Sequence, residues 1–455
     1  MSENKNKNKK LHITMFPWFA LGHISPFLHL SNELAKRGHQ ISFLCPKKAQ
    51  IQVENINFHP DLITFHSLKI PHVDGLPLGT ETASDVPIFL TCHLATALDQ
   101  MRDQIKILLA NLKPDIVFYD FAYWVPDIAS EIGFKTVCYN VVCAASIAIA
   151  LVPARKSCTV EEMMKPPKGY PPSQVVLRKH EARGIFSVFQ EYGSGVTFFD
   201  RVTTALARCD AISIRTCREL EGPFCDYLSS QYNKPVFLPG PILPEPSSRD
   251  RLDEKWANWL QQFRPGSVLF CALGSQLVLE KGQFQELVLG IESTNLPFLI
   301  AVKPPLGVKT VEEALPEGFE ERTKGKGIVY GDFVPQIGIL NHSSIGCFVS
   351  HCGFGSMWES LMNECQVVLV PHLGDQILNT RLLANELKVA VEVERDENGW
   401  FTKENLCKTI RSVMDKGSEL GELIKKNHVE WKETLTRPGF MSGYIEEFMN
   451  NLHKL

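Results

Sequence analysis

The sequence predicts an α/β protein with two doubly wound parallel sheets. Short runs rich in β-branched and aromatic residues alternate with longer amphipathic runs along the chain, a pattern typical of parallel strands joined by helices. The alternation is interrupted at residues 238–251, where LPGPILPEPSSRDR holds four prolines. A Pro-rich break between two alternating series predicts two domains joined by a linker. We place the domains at 1–240 and 253–435 and the linker at 241–252.

The individual strands follow from the β-branched runs. In the first half we predict strands at 11–16, 40–45, 115–120, 135–140 and 211–215. In the second half we predict strands at 267–273, 298–303, 327–333, 346–350, 367–371 and 389–394. The run 25–38 predicts a helix with Ser25 as N-cap, Pro26 as the first helical residue and Gly38 as terminator. Ligands of such sheets bind beyond the carboxyl ends of the strands, so we expect a cleft between the two halves.

The composition excludes several classes of function. The net charge of −4 lacks the basic excess that binding to nucleic acid or anionic membranes needs. The thirteen cysteines have no repeated spacing, which favours a reducing compartment, the cytoplasm, over a secreted disulfide scaffold. The uncharged run 136–154 meets Pro153 before it reaches the roughly 20 apolar residues of a spanning helix, so we expect a buried strand and helix and no stable membrane insertion. No cysteine pair has the spacing of a zinc site, and we expect no metal ion.

The stretch SHCGFGSMWES at 350–360 has the pattern of an anion-binding turn. It follows a predicted buried strand, and Gly353 and Gly355 allow backbone N–H groups to approach a ligand. A helix beginning near Ser356 would direct its positive dipole end toward a phosphate, and His351 and Ser356 could add side-chain donors. A purely structural glycine turn is the alternative that this stretch leaves open.

Groups on either side of this turn suit a nucleotide-linked sugar. Glu359, one helical turn after Ser356, could accept the two hydroxyls of a ribose. Asp375 and Gln376 follow another strand and offer acceptors and donors for vicinal sugar hydroxyls. Upstream, Phe333, Val334 and Gln336 follow a further strand. A base could stack on the ring of Phe333, and the backbone at Val334 could form hydrogen bonds with the edge of the base. Each group alone could equally be solvated or structural.

His23 and Asp120 are candidates for an acid–base pair. Each lies at the carboxyl end of a predicted strand, and the two loops can meet in a doubly wound sheet. A His in that position can act as general base, and a buried carboxylate on its far nitrogen would fix the tautomer. A structural role for His23 is about as plausible from its position alone.

The sequence lacks the patterns that three other enzyme classes require. A serine hydrolase would need a G-x-S-x-G elbow, and a dehydrogenase would need G-x-G-x-x-G after the first strand, where this chain has the bulky FPWFALGHIS. A glycoside hydrolase would need two carboxylates that flank the scissile bond, whereas here one acid is paired with a His.

Aromatic residues near these loops could form the wall of a pocket for an apolar acceptor. They lie beside the predicted loops of His23 and Asp120: Trp18, Phe19, Phe121, Tyr123 and Trp124. Packing in the core is an equally good explanation for each of them.

Taken together, the motifs of the second half resemble the signature box of plant UDP-dependent glycosyltransferases. The box runs from Phe333 to Gln376, and its landmarks include VPQ at 334–336, HCG at 351–353 and DQ at 375–376. The resemblance continues outside the box, because GHISPFLHLSNELAKRGH is similar to the family's first βα unit and CALGS to the first strand of its second domain. It implies a GT-B fold, in which two Rossmann-like domains face a cleft and a final helix, near 436–455, crosses back to the first domain.

The resemblance also implies roles for individual residues. His23 matches the family's catalytic base and Asp120 its orienting acid. Phe333 takes the place of a uracil-stacking Trp, with Val334 and Gln336 beside it. On the donor side, the family's pattern assigns the diphosphate to Ser275, His351 and Ser356, the ribose to Glu359, and the donor sugar to Asp375 and Gln376. The co-substrate would be a UDP-sugar, with no further cofactor and no metal.

Several positions depart from the commonest family pattern. Phe333 and Phe354 replace tryptophans, and Gly355 replaces an asparagine. These variants resemble the subgroup that adds rhamnose, glucose or xylose to flavonoid, anthocyanin, phenylethanoid or terpenoid glycosides with inversion at the anomeric carbon. Gln376, in place of His, disfavours a galactose donor by the same resemblance. We expect a monomer, and we keep an aglycone glucosyltransferase and a non-catalytic nucleotide-sugar-binding protein as alternatives.

Overall fold

The chain forms two compact α/β units, each with one parallel sheet. We describe a computed structural model of residues 9–242, 252–274 and 276–455. Unit 1 consists of the chain up to Pro172 together with Ile185–Pro244 and Pro438–Leu455, and unit 2 consists of Ser173–Gly184 and Glu245–Arg437. The predicted α/β class with two parallel sheets is confirmed. Most of the predicted linker, at 243–251, lies outside the described residues.

The sheet of unit 1 has seven parallel strands in the order β3-β2-β1-β4-β5-β6-β7. They are β1 (His12–Phe16), β2 (Gln40–Pro46), β3 (Ile63–Leu68), β4 (Ile116–Tyr119), β5 (Lys135–Asn140), β6 (Ala211–Ile214) and β7 (Val236–Phe237). Five of them are the predicted strands. The sequence prediction missed the two outermost, because β3 lies at a partly exposed edge and β7 has two residues. The strand order reverses between β1 and β4, which brings the loops after these two strands together.

The helices between β1 and the linker connect these strands. They are α1 (Leu21–Ala35), α2 (Lys47–Val53), α3 (Thr91–Gln100), α4 (Arg102–Leu112), α5 (Val125–Ile132), α6 (Ala144–Ala150), α7 (Val160–Met163), α8 (Lys179–Ile185), α9 (Phe198–Arg208) and α10 (Arg218–Tyr232). The uncharged run 136–154 forms β5 and the buried helix α6, as predicted. No helix in the described ranges is long and apolar enough to cross a membrane.

The first helix begins earlier than predicted. Its N-cap is Ala20 rather than Ser25, and Pro26 lies inside the helix. An internal proline removes one helical hydrogen bond and costs ~3 kcal/mol. Several fully buried apolar residues of α1, each worth roughly 1.5–3 kcal/mol, outweigh that cost: Phe27, Leu28, Leu30 and Leu34. As a result, His23 lies in the first turn of α1 and not in the loop before it. The predicted terminator Gly38 follows the helix with φ +83°.

Unit 2 repeats this architecture with six parallel strands in the order β10-β9-β8-β11-β12-β13. They are β8 (Val268–Ala272), β9 (Phe298–Ala301), β10 (Gly327–Tyr330), β11 (Ile345–Ser350), β12 (Gln366–Leu369) and β13 (Val391–Glu392), all within or beside the predicted runs. The helices of this unit are α11 (Glu254–Leu260), α12 (Lys281–Glu292), α13 (Phe319–Thr323), α14 (Gln336–Leu340), α15 (Phe354–Leu361), α16 (Asp375–Arg381), α17 (Lys403–Met414) and α18 (Glu419–Thr436). Apart from Ser275, the candidate donor residues follow β10, β11 and β12.

The last helix, α19 (Phe440–Leu452), belongs to unit 1. Its buried face packs into the core beneath the seven-stranded sheet, where the ring centroid of Phe448 lies 6.1 Å from that of Phe118 in β4. Ile445 and Leu452 join the same cluster. The C-terminal residues therefore complete the core of the unit in which the chain begins.

Candidate active site

The structure brings His23 and Asp120 into direct contact. Asp120 follows β4, and His23 lies in the first turn of the helix that follows β1. Because β1 and β4 are parallel neighbours, these two positions share one edge of the sheet. The His23 Nδ1 atom lies 2.6 Å from Asp120 Oδ2, a short charge-assisted hydrogen bond.

The hydrogen bonds of Asp120 fix the tautomer of His23. Its other oxygen, Oδ1, accepts the backbone N–H groups of Trp18 at 2.7 Å and Phe121 at 2.6 Å. The Asp120 side chain is 7% exposed, and both of its oxygens are held in place by hydrogen bonds within the protein. A carboxylate only accepts, and His23 therefore carries its proton on Nδ1, which leaves Nε2 able to take one. The His23 side chain is about one-fifth exposed, so a ligand can reach it.

An aromatic cluster surrounds this pair. The ring of Trp18 stacks on that of Phe121 with centroids 5.0 Å apart, and the imidazole of His23 meets Phe121 edge-on at 5.5 Å. Phe121 and Tyr123 are half-buried, whereas Trp18, Phe19 and Trp124 are buried. The burial of these three side chains is what the alternative explanation, packing in the core, predicts.

The sequence prediction missed two aromatic residues of this cluster. Tyr192 and Phe198 both contact Phe121, at 6.1 and 5.4 Å between centroids, and both are half-buried. They lie about 70 positions after Phe121 in the chain. No sequence spacing connects them to it, so only the fold reveals the contact.

Arg201 holds these aromatic segments together. It is fully buried, and its guanidinium forms a bidentate ion pair with Asp99 at 2.9 and 2.6 Å. It also donates to the backbone carbonyls of Phe121 at 3.2 Å and Tyr192 at 3.0 Å. A lone arginine on the apolar face of α9 was a usable sequence signal for such a buried pair, and the prediction did not use it.

The glycine turn of unit 2 follows β11, as predicted, and its helix begins at Phe354, two residues earlier than expected. The ring of His351 packs against two glycines, because a Cβ on Gly274 or Gly353 would come within 2.6 Å of its Nε2. Cys352 has φ +60°, an uncommon backbone conformation for a residue other than glycine. Such strain persists where the surroundings impose it, and it is frequent in ligand-binding turns.

Burial keeps the His351 imidazole neutral. Desolvation lowers the pKa of His351 to about 4, although a hydrogen bond with the Ala272 backbone opposes the shift. At neutral pH this side chain can therefore offer a hydrogen bond but no positive charge.

Two residues of the turn differ in what surrounds them. Phe354 is buried and packs edge-on against Trp358, with centroids 5.9 Å apart. Its side chain therefore has a packing role in the first turn of α15. Open space surrounds Gly355, where a side chain would meet no atom within 4 Å. The Phe354–Gly355 pair thus leaves room beside the first turn of α15.

Gln336, Ser356 and Glu359 form one hydrogen-bonded group. The amide of Gln336 donates to Ser356 Oγ at 3.1 Å and to Glu359 Oε2 at 2.5 Å. The three residues come from α14 and α15, so the strand order of the sheet is what brings them together. Phe333 lies just before this group and is 80% exposed, while Val334 is buried. Ser275 lies outside the described residues.

Asp375 and Gln376 begin α16, after Gly374 with φ +42°. The oxygen of Gln376 accepts the backbone N–H groups of His372 and Leu373, which shapes the turn. Asn379, fully buried, donates to Asp375 Oδ2 at 3.0 Å and to the carbonyl of Cys352 at 2.9 Å. Asn379 therefore connects the glycine turn to the acid–amide pair. The prediction missed it, although its spacing of four residues from Asp375 places both on one helix face.

Over the described ranges, no group of three or more His, Cys, Asp or Glu side chains is placed to hold a metal ion.

Two protein families match the chain. The family described as glycosyltransferase, N-terminal domain, matches residues 9–244, and the family described as UDP-glucoronosyl and UDP-glucosyl transferase matches residues 311–429. Together the two matches cover most of both units.

Named relatives match over almost the entire chain. The anthocyanidin 3-O-glucoside 2'''-O-xylosyltransferase of Arabidopsis thaliana is 56% identical over 99% of this chain and 98% of its own length. The UDP-glucosyl transferase 79T1 of Saponaria officinalis is 50% identical over 98% of this chain and 99% of its own length. The crystal structure of Arabidopsis thaliana UGT89C1 complexed with UDP-L-rhamnose has a TM-score of 0.79, covering 98% of this chain and 99% of that one. At 21% identity, this last similarity shows the fold alone.

Proposed function

The chain belongs to the plant UDP-glycosyltransferase family, and from this premise we propose that it adds a sugar to a sugar hydroxyl of a plant specialised glycoside. It is an enzyme that takes its sugar from a UDP-sugar. The proposed acceptors are flavonoid, anthocyanin, phenylethanoid or terpenoid glycosides, and the proposed donors are UDP-xylose, UDP-glucose and UDP-rhamnose. The name of the 56% identical relative, a xylosyltransferase for an anthocyanidin 3-O-glucoside, supports an acceptor that already carries a sugar.

The observation that carries the catalytic part is the 2.6 Å contact between His23 Nδ1 and Asp120 Oδ2. In the proposed reaction, His23 Nε2 removes the proton of an acceptor hydroxyl while its oxygen attacks the anomeric carbon. The new C–O bond forms as the bond to UDP breaks, and UDP leaves with the electron pair. Asp120 stabilises the imidazolium that results. Attack opposite the leaving group inverts the anomeric configuration.

The residues of unit 2 supply the proposed donor contacts. His351, Ser356 and the first turn of α15 would bind the diphosphate. Ser275, which the sequence resemblance assigns to the same role, stays part of the proposal. Because His351 is neutral, hydrogen bonds and the helix end take up the charge of the leaving UDP, and the proposal uses no metal ion.

The remaining donor groups fit the rest of the UDP-sugar in the same proposal. The exposed ring of Phe333 suits stacking on uracil, and the group around Glu359 suits the ribose. Asp375 and Gln376 would hold the sugar.

On the acceptor side, the half-buried rings near His23 suit an apolar aglycone. Phe121 and Tyr123 come from the sequence prediction, and Tyr192 and Phe198 join them. We also propose that the protein is a monomer and lies in the cytoplasm. The cytoplasmic location is supported by its thirteen free cysteine thiols, which a reducing compartment maintains.

A transfer matrix tests the proposal. The three UDP-sugars are each combined with flavonoid and terpenoid glucosides and with the matching aglycones, and products are identified by mass spectrometry and NMR. We expect kcat/KM for a glucoside to exceed that for its aglycone at least about tenfold, since a site built for a sugar leaves polar groups unpaired with an aglycone. The product should carry two linked sugars, the second with inverted configuration.

Each alternative gives a distinct outcome in the same matrix. Equal or faster transfer to aglycones would identify an aglycone glucosyltransferase. Binding of UDP-sugars without UDP release on any acceptor would favour a non-catalytic binding protein. Retained anomeric configuration would contradict the displacement by His23.

A further inference from the structure

One segment of unit 2 comes from the first half of the sequence. Residues 173–184, called here the inserted segment, are followed by the chain's return to unit 1 at Ile185. At its beginning, Ser173 Oγ and the backbone N–H of Gln174 both donate to Glu386 at 2.6 Å. Glu386 is exposed, so this attachment is at the surface.

The other attachment of the inserted segment is a buried ion-pair network. The Glu181 carboxylate pairs with Arg381, and both side chains are at most 3% exposed. Arg381 also pairs with Glu392 at the end of β13, and Arg178 forms a bidentate pair with the same Glu392 at 3.1 Å. The backbone N–H of Arg178 donates to the second oxygen of Glu181 at 2.7 Å. Buried charges need this degree of pairing, because an isolated one would be strongly unfavourable.

This network holds the end of the helix that begins with the acid–amide pair. Asp375 and Gln376 are the first two residues of α16 and Arg381 is its last, after which a π-helical segment, Leu382–Glu386, continues the helix. Near the middle of α16, Asn379 bonds to the carbonyl of Cys352 in the glycine turn. Seven helical residues span about 10 Å, and their backbone hydrogen bonds connect the position of Arg381 to that of Asp375 and Gln376. Glu181 and Cys352 thus fix it from two sides.

We propose that Glu181 is a positioning residue for the donor sugar, acting through Arg381 on Asp375 and Gln376. This inference rests on the proposed function, because it takes Asp375 and Gln376 as the contacts of the sugar. It predicts that Glu181 affects recognition of the sugar and leaves recognition of UDP unchanged, since none of the groups proposed for UDP lies on α16. In this proposal, a residue about 150 positions before the start of the signature box contributes to recognition of the sugar.

Glu181→Gln tests this role in the full-length protein. The substitution keeps the side-chain shape, and Arg381 retains Glu392 as a partner. Calorimetry without acceptor measures the affinities of UDP, UDP-glucose and UDP-xylose, and kinetics give KM for donor and acceptor. We expect UDP-sugar affinity to fall about tenfold, the effect of one or two lost hydrogen bonds, with UDP affinity and acceptor KM unchanged. The charge-retaining Glu181→Asp should recover part of the loss.

Two further variants separate this role from a merely structural one. Glu386→Gln loosens the surface attachment of the same segment, and we expect all affinities to stay at the parent values. Glu359→Ala should weaken UDP and UDP-sugars together. Equal losses of UDP and UDP-sugar in Glu181→Gln, no loss at all, or the same loss in Glu386→Gln would overturn the proposal.

Folding failure and failure of the proposed function also give distinct results. If Glu181→Gln does not fold, Arg178→Gln takes its place, because the Arg178 side chain is half exposed and belongs to the same network. It should show a smaller loss with the same selectivity for the sugar, and an unselective result would overturn the inference. A parent protein that binds neither UDP nor UDP-sugars would instead contradict the proposed function.

Discussion

Replacing Asp120 by asparagine should leave the local fold intact and remove the base function of His23. In the parent, Oδ1 accepts two backbone N–H groups, from Trp18 and Phe121, and Oδ2 accepts the Nδ1 proton of His23. The amide of an asparagine must keep its oxygen toward the two backbone donors, because its NH₂ group would otherwise face them. The NH₂ group then faces Nδ1, which becomes an acceptor. The imidazole proton moves to Nε2, the atom that has to take a proton from the acceptor substrate.

The expected loss is large because two effects add. The imidazole is in the wrong tautomer, and the imidazolium loses the charge that stabilises it. General-base catalysis contributes about 10²–10⁴-fold, and the corresponding change in serine-protease triads, a worked case from other enzymes, costs about 10⁴-fold. We therefore expect kcat to fall by about 10²–10⁴, which corresponds to roughly 3–5 kcal/mol of transition-state stabilisation.

UDP release and product mass spectrometry measure this loss, and calorimetry checks that UDP affinity is unchanged. Asp115→Asn is the matched control. Asp115 lies directly before β4 and Asp120 directly after it, and the Asp115 carboxylate also accepts a backbone N–H, that of His12 at 2.9 Å. We expect the control to retain kcat within about twofold, as is usual for partly exposed positions. An Asp120→Asn enzyme with a kcat close to that of Asp115→Asn would refute the tautomer argument and the proposed role of His23.

Two further predictions concern buried charged groups of unit 1. Arg201→Lys keeps a charge beside Asp99 but loses the bidentate contact and the hydrogen bonds to the carbonyls of Phe121 and Tyr192. We therefore expect at least about tenfold higher acceptor KM and a lower melting temperature, with UDP affinity unchanged. An unchanged acceptor KM would contradict the role of Arg201 in holding the aromatic wall. Burial raises the pKa of Glu221 from 4.5 to about 7, so the folded state binds more protons between these values and its stability falls as pH rises through them. Glu221→Gln should remove up to about 3 kcal/mol of this dependence, and its melting temperature relative to the parent should rise between pH 5 and pH 8; a constant difference across this range would refute the assignment.

The sequence predicted the regular parts of the fold well for a physical reason. Strands such as β4 and β8 are buried along their whole length and therefore appear as short continuous apolar runs rich in β-branched and aromatic residues. The start of the first helix was predicted five residues late, because Ser25 and Pro26 have the residue types of a helix start. Their local preference lost to the burial of Phe27 and its neighbours, which only the packed sheet provides.

The candidate site divides in a similar way between sequence and structure. A compact motif such as HCG, followed by Ser356 and Glu359 at helical spacing, can be read along the chain because its members share one turn and one helix. Its roles remain proposals that the experiments above address. Tyr192 and Arg201 could not be placed beside Phe121 from sequence, since about 70–80 positions separate them and strand order alone sets their distance.

The sequence by itself determined that this chain is an α/β protein of two parallel sheets with the motifs of a UDP-glycosyltransferase, because periodicity and short motifs are local properties. The tertiary structure alone decided the contacts between distant segments. It placed Asp120 on Nδ1 of His23, joined Asn379 to the turn at Cys352, and paired Glu181 with Arg381 across 200 positions of the chain. Buried charges and hydrogen-bonding groups must find partners wherever the fold brings them, and no local pattern in the sequence records which partner that is.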